Sequence, residues 1–414
     1  MRILYITPYP PSRIRVRSYG FLTQLQRAHE VTVMMLCTSE RELADAEALR
    51  SQGYHAVVAR ESKRQAIMRS GLALASTRSL HVAYASSTRF TQAIQNLCAQ
   101  QCFDVVHVEH LRGIAASESL VLTHPVVWDA VDCLSLLYQQ TRVAGPNMPI
   151  RMLALLENRR TLRYESYLLN TLQHIVVSSA RDRQAMIQLL PKENGDARNN
   201  GSQLGSTISV LPNGVDLDYF CPMHQERRPF NLVFSGKMSY HPNVATVLYL
   251  YQQIMPLIWQ HRPEVTLTIA GDQPTKAIER LANDPRVEVT GHVDDIRPYI
   301  RRAEVMVCPM VYSAGIQNKV LEAMALGTPV VTATRTAEAL RACPGRDLLV
   351  AESAEKFAEA TLHILEDREL RTALSRCGRA YVESYHDWQV VTHELVSIYQ
   401  NAIDTHSKSA LFAF

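Results

Sequence analysis

Short apolar runs, each closed by a glycine, a proline or a polar cluster, alternate along this chain with amphipathic stretches of helical spacing. Residues 2–7 read as a buried strand, and Pro8, Pro10 and Pro11 force an irregular loop after it. A helix follows from near Arg15 through Phe21, Leu22 and Leu25, and residues 29–36 give a second strand. This β-loop-α-β opening is that of a Rossmann-like half. Further strands are expected at 103–110, 126–132 and 174–178, the last of these closing the first half. Residues 195–205 read as a polar loop and 222–229 as a linker. The pattern then restarts, with strands expected at 230–236, 265–271 and 287–293, a helix capped by Asp294 or Asp295, and helix over 353–386. The tail from His406 to Phe414 reads as disordered or loosely docked.

The best-defined stretch is 304–334. An apolar run ends at Pro309, and Val320, Leu321, Met324 and Ala325 then recur at helical spacing. Gly327 falls where a left-handed helix stop is wanted, Pro329 prevents continuation, and Val330, Val331 and Thr332 suit a buried strand. Strand, loop, helix and strand make one crossover of a parallel sheet. Gly315 would let backbone approach a ligand, and the N–H groups near Ile316, Gln317 and Asn318 form an anion site at a helix start. Lys319 puts a positive charge in the first turn, against the helix dipole, a placement that makes sense if an anion sits there. Glu322, three residues on, is placed to accept hydrogen bonds from ribose hydroxyls. The alternative is an exposed Lys–Glu pair worth a few tenths of a kcal/mol.

Composition narrows the classes. A chain of 414 residues, 47% hydrophobic and 20% charged, is an ordinary globular protein with room for two domains. A net charge of +3 is too small to argue for nucleic acid as a partner. Eight scattered cysteines, with Cys98 and Cys102 the one close pair, make no metal site and suit reduced thiols in a cytoplasmic protein. Met1-Arg2 runs straight into a strand, read as the absence of a leader. No apolar run approaches the ~18–20 residues of a bilayer span, so membrane contact is expected to be peripheral. Residues 60–78 mix Arg60, Lys63, Arg64, Arg69 and Arg78 with Ile67, Met68, Leu72 and Leu74, and 151–169 are similar. Either segment lies on an anionic membrane or is a plain surface helix. Arg13, Arg15 and Arg17 either face a phosphate or acidic acceptor or form a solvated basic loop. Strand alternation puts His107 and Glu109 on one face and Val108 and His110 on the other, with His107 read as a satisfied core histidine.

The segment K-V-L-E-A-M-A-L-G-T-P-V-V, residues 319–331, resembles the nucleotide-sugar signature of family 4 glycosyltransferases. More narrowly, G-I-Q-N-K-V-L-E-A-M-A from Gly315 resembles the sugar transferases associated with exopolysaccharide and exosortase (PEP-CTERM) systems. The resemblance is strongest from Val210 to Trp388. It implies an α/β protein of the GT-B fold, with two Rossmann-like domains facing a central cleft and a C-terminal helix crossing back to the first. The corresponding divisions are 1–220 on the acceptor side, 221–390 for the nucleotide sugar, and 391–414 for the crossing helix and tail. It implies transfer of a sugar, with retention, from a nucleotide diphosphate sugar to a glycan or lipid-linked acceptor, without metal or cofactor, in surface polysaccharide synthesis. Gly236-Lys237 matches the family's diphosphate contact. Many members carry a second Lys where this chain has Pro242, so Lys319 is taken to supply that charge. His292 and Val293 match the stretch that reads the base. His110 or Glu109 matches a His near the donor sugar. Arg17 and the strand end with Asp129 and Asp132 match positions in the narrower group, pointing to the acceptor. One departure is Ala314, where the general pattern has a Glu on the donor sugar. It keeps open a catalytically silent relative, beside the less favoured epimerase or phosphorylase.

Overall fold

The computed structural model describes residues 1–145, 147–190, 207–223, 226–312 and 316–411, with side chains to residue 408. The chain divides into two compact units, one of 1–138, 155–213 and 388–414, the other of 139–154 and 214–387. Each is built on a fully parallel sheet.

The first sheet has the order β3-β2-β1-β4-β5-β6-β7. Its strands are β1 (Arg2–Thr7), β2 (Glu30–Cys37), β3 (His55–Arg60), β4 (Val105–Glu109), β5 (Val126–Val131), β6 (His174–Val177) and β7 (Thr207–Val210). β4 and β6 are buried along their whole length, as strands covered on both faces must be. The expected closing strand, β6, is therefore not the last: β7 pairs outside it, Ile175 opposite Ile208. The helix Trp388–Leu411 packs back on this unit. Trp388 stands edge-on to Phe21 at 5.1 Å, and a Cβ on Gly20 would lie 2.1 Å from the indole. Residues 406–411, expected as a loose tail, instead continue this helix.

The second sheet has the order β10-β9-β8-β11-β12-β13. Its strands are β8 (Asn231–Ser235), β9 (Thr266–Ala270), β10 (Val287–Val289), β11 (Val305–Cys308), β12 (Val330–Ala333) and β13 (Leu349–Ala351). The expected crossover is present: β11 pairs with β12, joined by the helix Asn318–Ala325, and Gly327 takes φ +73° at its stop. Two local expectations change. Helix 353–386 is broken at Asp367, which accepts from the Leu370 amide and starts Arg368–Tyr385 afresh. The helix after β10 begins at Arg297 with Ile296 in the N-cap position, and Asp295, one residue earlier, accepts from the Arg297 amide at 2.9 Å as well as pairing with its side chain at 2.7 Å.

Candidate functional site

Each sheet reverses strand order once, between β1 and β4 in the first and between β8 and β11 in the second. Open parallel sheets bind ligands outside the strand ends at such reversals.

In the second unit, β8 runs into Gly236 and β9 into Gly271, both in glycine-only backbone at φ +148° and +147°. A Cβ on Gly271 would lie 1.8 Å from the Gly236 carbonyl oxygen, so the loops pass each other because neither carries a side chain. A Cβ on Gly236 would sit 2.8 Å from Asn243 Nδ2 and 3.3 Å from Lys319 Cε. Asn243 donates to the Lys237 carbonyl at 2.9 Å and accepts from Lys319 Nζ at 2.6 Å. The structure thus gathers Gly236, Lys237 and Lys319 around Asn243, which sequence reasoning passed over. The available signal was an amide beside Pro242, the proline that starts the helix His241–Tyr249.

Lys319 is 9% exposed, lies 4.7 Å over the Phe234 ring, and has no carboxylate within salt-bridge range among the described residues. Burial pulls its ammonium below the ordinary lysine value, with Cys308 and Glu322 opposing. Glu322 is partly buried; burial pushes its carboxyl up to about 7, tempered by Lys319. Lys237 is exposed. Ile316 is buried, and Gln317 is the N-cap, without a side-chain cap bond, of the helix that carries Lys319. Gly315 and Ala314 lie outside the described residues. His292 is exposed, 3.7 Å from both Asp272 and Asp294, and Val293 beside it is partly buried. The hydroxyl of Thr290 accepts from the Gly271 amide, tying that strand end to the same cluster.

The first unit treats its charges differently. Arg17 and Asp129, candidates for an acceptor, face inward: Nε meets Oδ2 at 2.7 Å, both side chains are buried, and Arg17 also binds Leu211 O and Asn213 Oδ1. Asp129 lies within β5 rather than at its end. Glu109 is buried and accepts from Tyr5 at 3.0 Å and Tyr9 at 2.6 Å, and burial raises its carboxyl to about 7. Asp132 accepts from Ser178, and burial, then Asp182, pushes it up. Arg13 is exposed. His107 is indeed core, stacked on Tyr5 at 4.2 Å, but not satisfied: neither ring nitrogen has a partner among the described residues. The nearest acceptor, Asp129 Oδ2, is 3.8 Å from Nε2, beyond hydrogen-bond range, and burial lowers the ring to about 4, with Asp129 opposing, keeping it neutral. His110 opens a helix with φ +66°, at the reversal of this sheet. Burial, then Arg112, His81 and Arg15, holds it neutral, and its Nδ1 accepts from the Arg112 amide at 3.4 Å, leaving the Nε2 proton to donate. Among the described residues no group of three His, Cys, Asp or Glu could hold a metal ion.

With this geometry in place, comparison with known proteins defines the class. Residues 229–367 match the family model of group 1 glycosyl transferases, so the second unit carries a group 1 glycosyl transferase domain. Over its whole length the chain has the GT-B fold. It superposes on sucrose-phosphate synthase from Thermosynechococcus elongatus with TM-score 0.71, at 16% identity, over 98% of this chain and 99% of the other. Anabaena HepE in complex with UDP and glucose gives TM-score 0.67 at 14% identity, over 97% and 100%. Similar in sequence is a GDP-mannose-dependent mannosyltransferase of Corynebacterium glutamicum acting on a monoacylated phosphatidylinositol monomannoside, 26% identical over 47% of this chain and 56% of the relative. A Mycobacterium tuberculosis phosphatidyl-myo-inositol mannosyltransferase is 28% identical over 50% and 57%. The chain spans just over half the length of these relatives.

Proposed function

We propose that the chain transfers a sugar, with retention, from a nucleotide diphosphate sugar to an acceptor hydroxyl, without a metal ion. The observation that carries this is Lys319, a buried cation whose hydrogen bond goes to a neutral amide, beside Gly236, Lys237 and a helix N-terminus. A diphosphate there would complete the charge. Two cations about 4 Å from it each contribute up to ~4 kcal/mol at an effective dielectric near 20, before desolvation. That stabilises the leaving diphosphate as the glycosidic bond breaks, so charge placed in advance does most of the work. Glu322 accepts from the ribose hydroxyls, and His292 and Val293 meet the base; in the first unit, His110 is the catalytic candidate, with an Nε2 proton to donate.

The lipid substrates in the names of these relatives favour a lipid-linked acceptor here, and on that reading the chain works at the inner face of the membrane in assembly of a surface glycan. Among the described residues no helix is long and apolar enough to cross a bilayer. The helix Lys63–Ala73 exposes Ile67, Met68 and Leu72 by 55%, 61% and 70%, next to Lys63 and Arg64, which suits an anionic surface. Met68→Glu should then reduce co-sedimentation with anionic vesicles; unchanged binding removes this helix from the membrane.

The main test incubates the protein with nucleotide sugars, GDP-mannose and UDP-glucose first, and follows nucleoside diphosphate release. Slow release, quickened by an acceptor, is expected. No affinity for any nucleoside diphosphate would reject the site. Binding without turnover would favour a silent relative, the reading that Ala314 motivates.

A further inference from the structure

The helix that begins at Lys319's turn ends at Ala325, and the far end borders a second, separate basic feature. A cavity of about 370 Å³ is lined there by Arg227, Arg301, Arg376 and Arg379, with Ser375 and Glu383. Glu383 is the one carboxylate in this lining, and it pairs with Arg379 at 2.6 Å. Two arginines have an evident structural task. Arg227 donates to Gly327 O at 2.6 Å, in the turn just past the helix, and Arg379 to Ala325 O at 2.7 Å, the last carbonyl of the helix. Neutral carbonyls fix a guanidinium in place without cancelling its charge. The other two are not explained this way. Arg301 is 9% exposed, and although Nη2 donates to Cys221 O at 3.1 Å, its Nε has no partner among the described residues. Arg376 is exposed, with no hydrogen bond or ion pair to a described residue.

Four guanidinium groups around one carboxylate, one of them buried with an unused donor, need a counter-charge. We propose that this cavity is a binding site for a small phosphate-bearing anion, distinct from the donor site at the other end of the same helix. A planar fork of donors matches phosphate oxygens, which is why the chemistry points to phosphate rather than to a single carboxylate. The volume is at the low end for ligand pockets, room for a phosphate with a few carbons attached, and too small for a nucleotide sugar. The phosphate comes either from a soluble ester or from a lipid headgroup. The site does not depend on the transferase reading.

The experiment is equilibrium dialysis of the full chain against labelled inorganic phosphate and glycerol 3-phosphate, at low ionic strength, with GDP and UDP present in excess to fill the donor site. One phosphate per chain is expected. Arg376→Glu, at an exposed position that the fold does not use, should weaken it at least ~10-fold, whereas Arg376→Lys keeps a point charge and should stay within ~3-fold. Circular dichroism checks that both variants fold. Equal binding in Arg376→Glu and the parent would overturn the site, as would no bound phosphate at all. Loss in Lys237→Ala with retention in Arg376→Glu would place the phosphate at the donor site and also overturn it. Vesicles with and without phosphatidic acid separate the sources: Arg376-dependent vesicle binding that glycerol 3-phosphate fails to displace assigns a headgroup, and displacement assigns a soluble ester. Failure of every nucleoside diphosphate to bind would remove the transferase reading while leaving this result standing.

Discussion

At the reversal of the first sheet, Arg17 meets Asp129 at 2.7 Å and Glu109 takes hydrogen bonds from Tyr5 and Tyr9. At the reversal of the second, Lys319 reaches the amide oxygen of Asn243 and, more distantly, the Met310 sulfur, both uncharged, and Lys237 is exposed. Both regions bury charge near a reversal, although Asp129 lies within β5, next to β4, rather than at a strand end. In one the charges complete each other and fasten the helix Val16–Leu25 to β5 and to the segment after β7. In the other a cation is desolvated with no carboxylate in salt-bridge range among the described residues, and the missing close anion is the inference about function. A charge at a strand end is therefore poor evidence of a site until its partner is known.

The largest effect expected is on stability in the first unit. Arg17→Ala strands Asp129 as a buried, unpaired carboxylate and should cost ~3–5 kcal/mol in urea unfolding. Any nucleoside diphosphate affinity of the folded protein should be unchanged. Lys319→Met is the mirror experiment. It removes a buried cation that has no carboxylate within salt-bridge range among the described residues and only a longer-range attraction to Glu322, so stability should change by no more than ~1 kcal/mol, while calorimetric affinity for GDP or UDP falls by ~2 kcal/mol, about 30-fold. A Lys319→Met protein as unstable as Arg17→Ala would erase the contrast. Next comes Glu322→Ala, which should weaken the nucleoside diphosphate by ~10-fold, about 1.4 kcal/mol, and pyrophosphate hardly at all. Equal losses for the two ligands would take Glu322 off the ribose.

Much of this was legible in the chain. The strand-loop-helix-strand unit around Lys319 is written in local grammar, with a helical apolar stripe, a left-handed glycine and β-branched residues, and local grammar survives folding. Gly236 and Lys319 are 83 positions apart, and the likeness to a known family, not spacing, put them in one site. What was not legible was pairing. Arg17 read as one of three arginines that either face a phosphate or acidic acceptor or form a solvated loop, and only the fold shows that its partner is 112 residues away. Asn243 was missed because an amide has no charge to draw attention, yet it is the hinge between Lys237 and Lys319. β7 was missed as a strand because four residues with a single buried position carry almost no alternation signal. The last helix outran its expected end because the polar residues after His406 suit an exposed helix face as well as a loose tail.

The smallest difference predicted is in pH dependence, and it probes both regions with one substitution type. Burial raises Glu109 and Glu322 to about 7 each. A carboxyl raised in the folded protein keeps its proton where the unfolded chain has lost it. Folded molecules then bind more protons between about pH 4.5 and 7, and stability must fall as pH rises through that window and level off above it. Each such group contributes at most one proton, ~1.4 kcal/mol per pH unit inside the window. Glu109→Gln keeps an acceptor for a tyrosine while removing the titration, so its urea midpoints at pH 5 and pH 7.5 should lie closer together than the parent's. Glu322→Gln should do the same, its carboxyl being raised by burial with Lys319 opposing. A bound diphosphate should separate the two. It would draw on the Lys319 charge that now steadies the Glu322 carboxylate, raising the Glu322 carboxyl and steepening the fall in stability near pH 7, with Glu109 unaffected. Midpoints measured with and without GDP or UDP decide the point: a ligand-dependent change that survives Glu322→Gln but vanishes in Glu109→Gln would put the anion in the first unit and reverse the comparison.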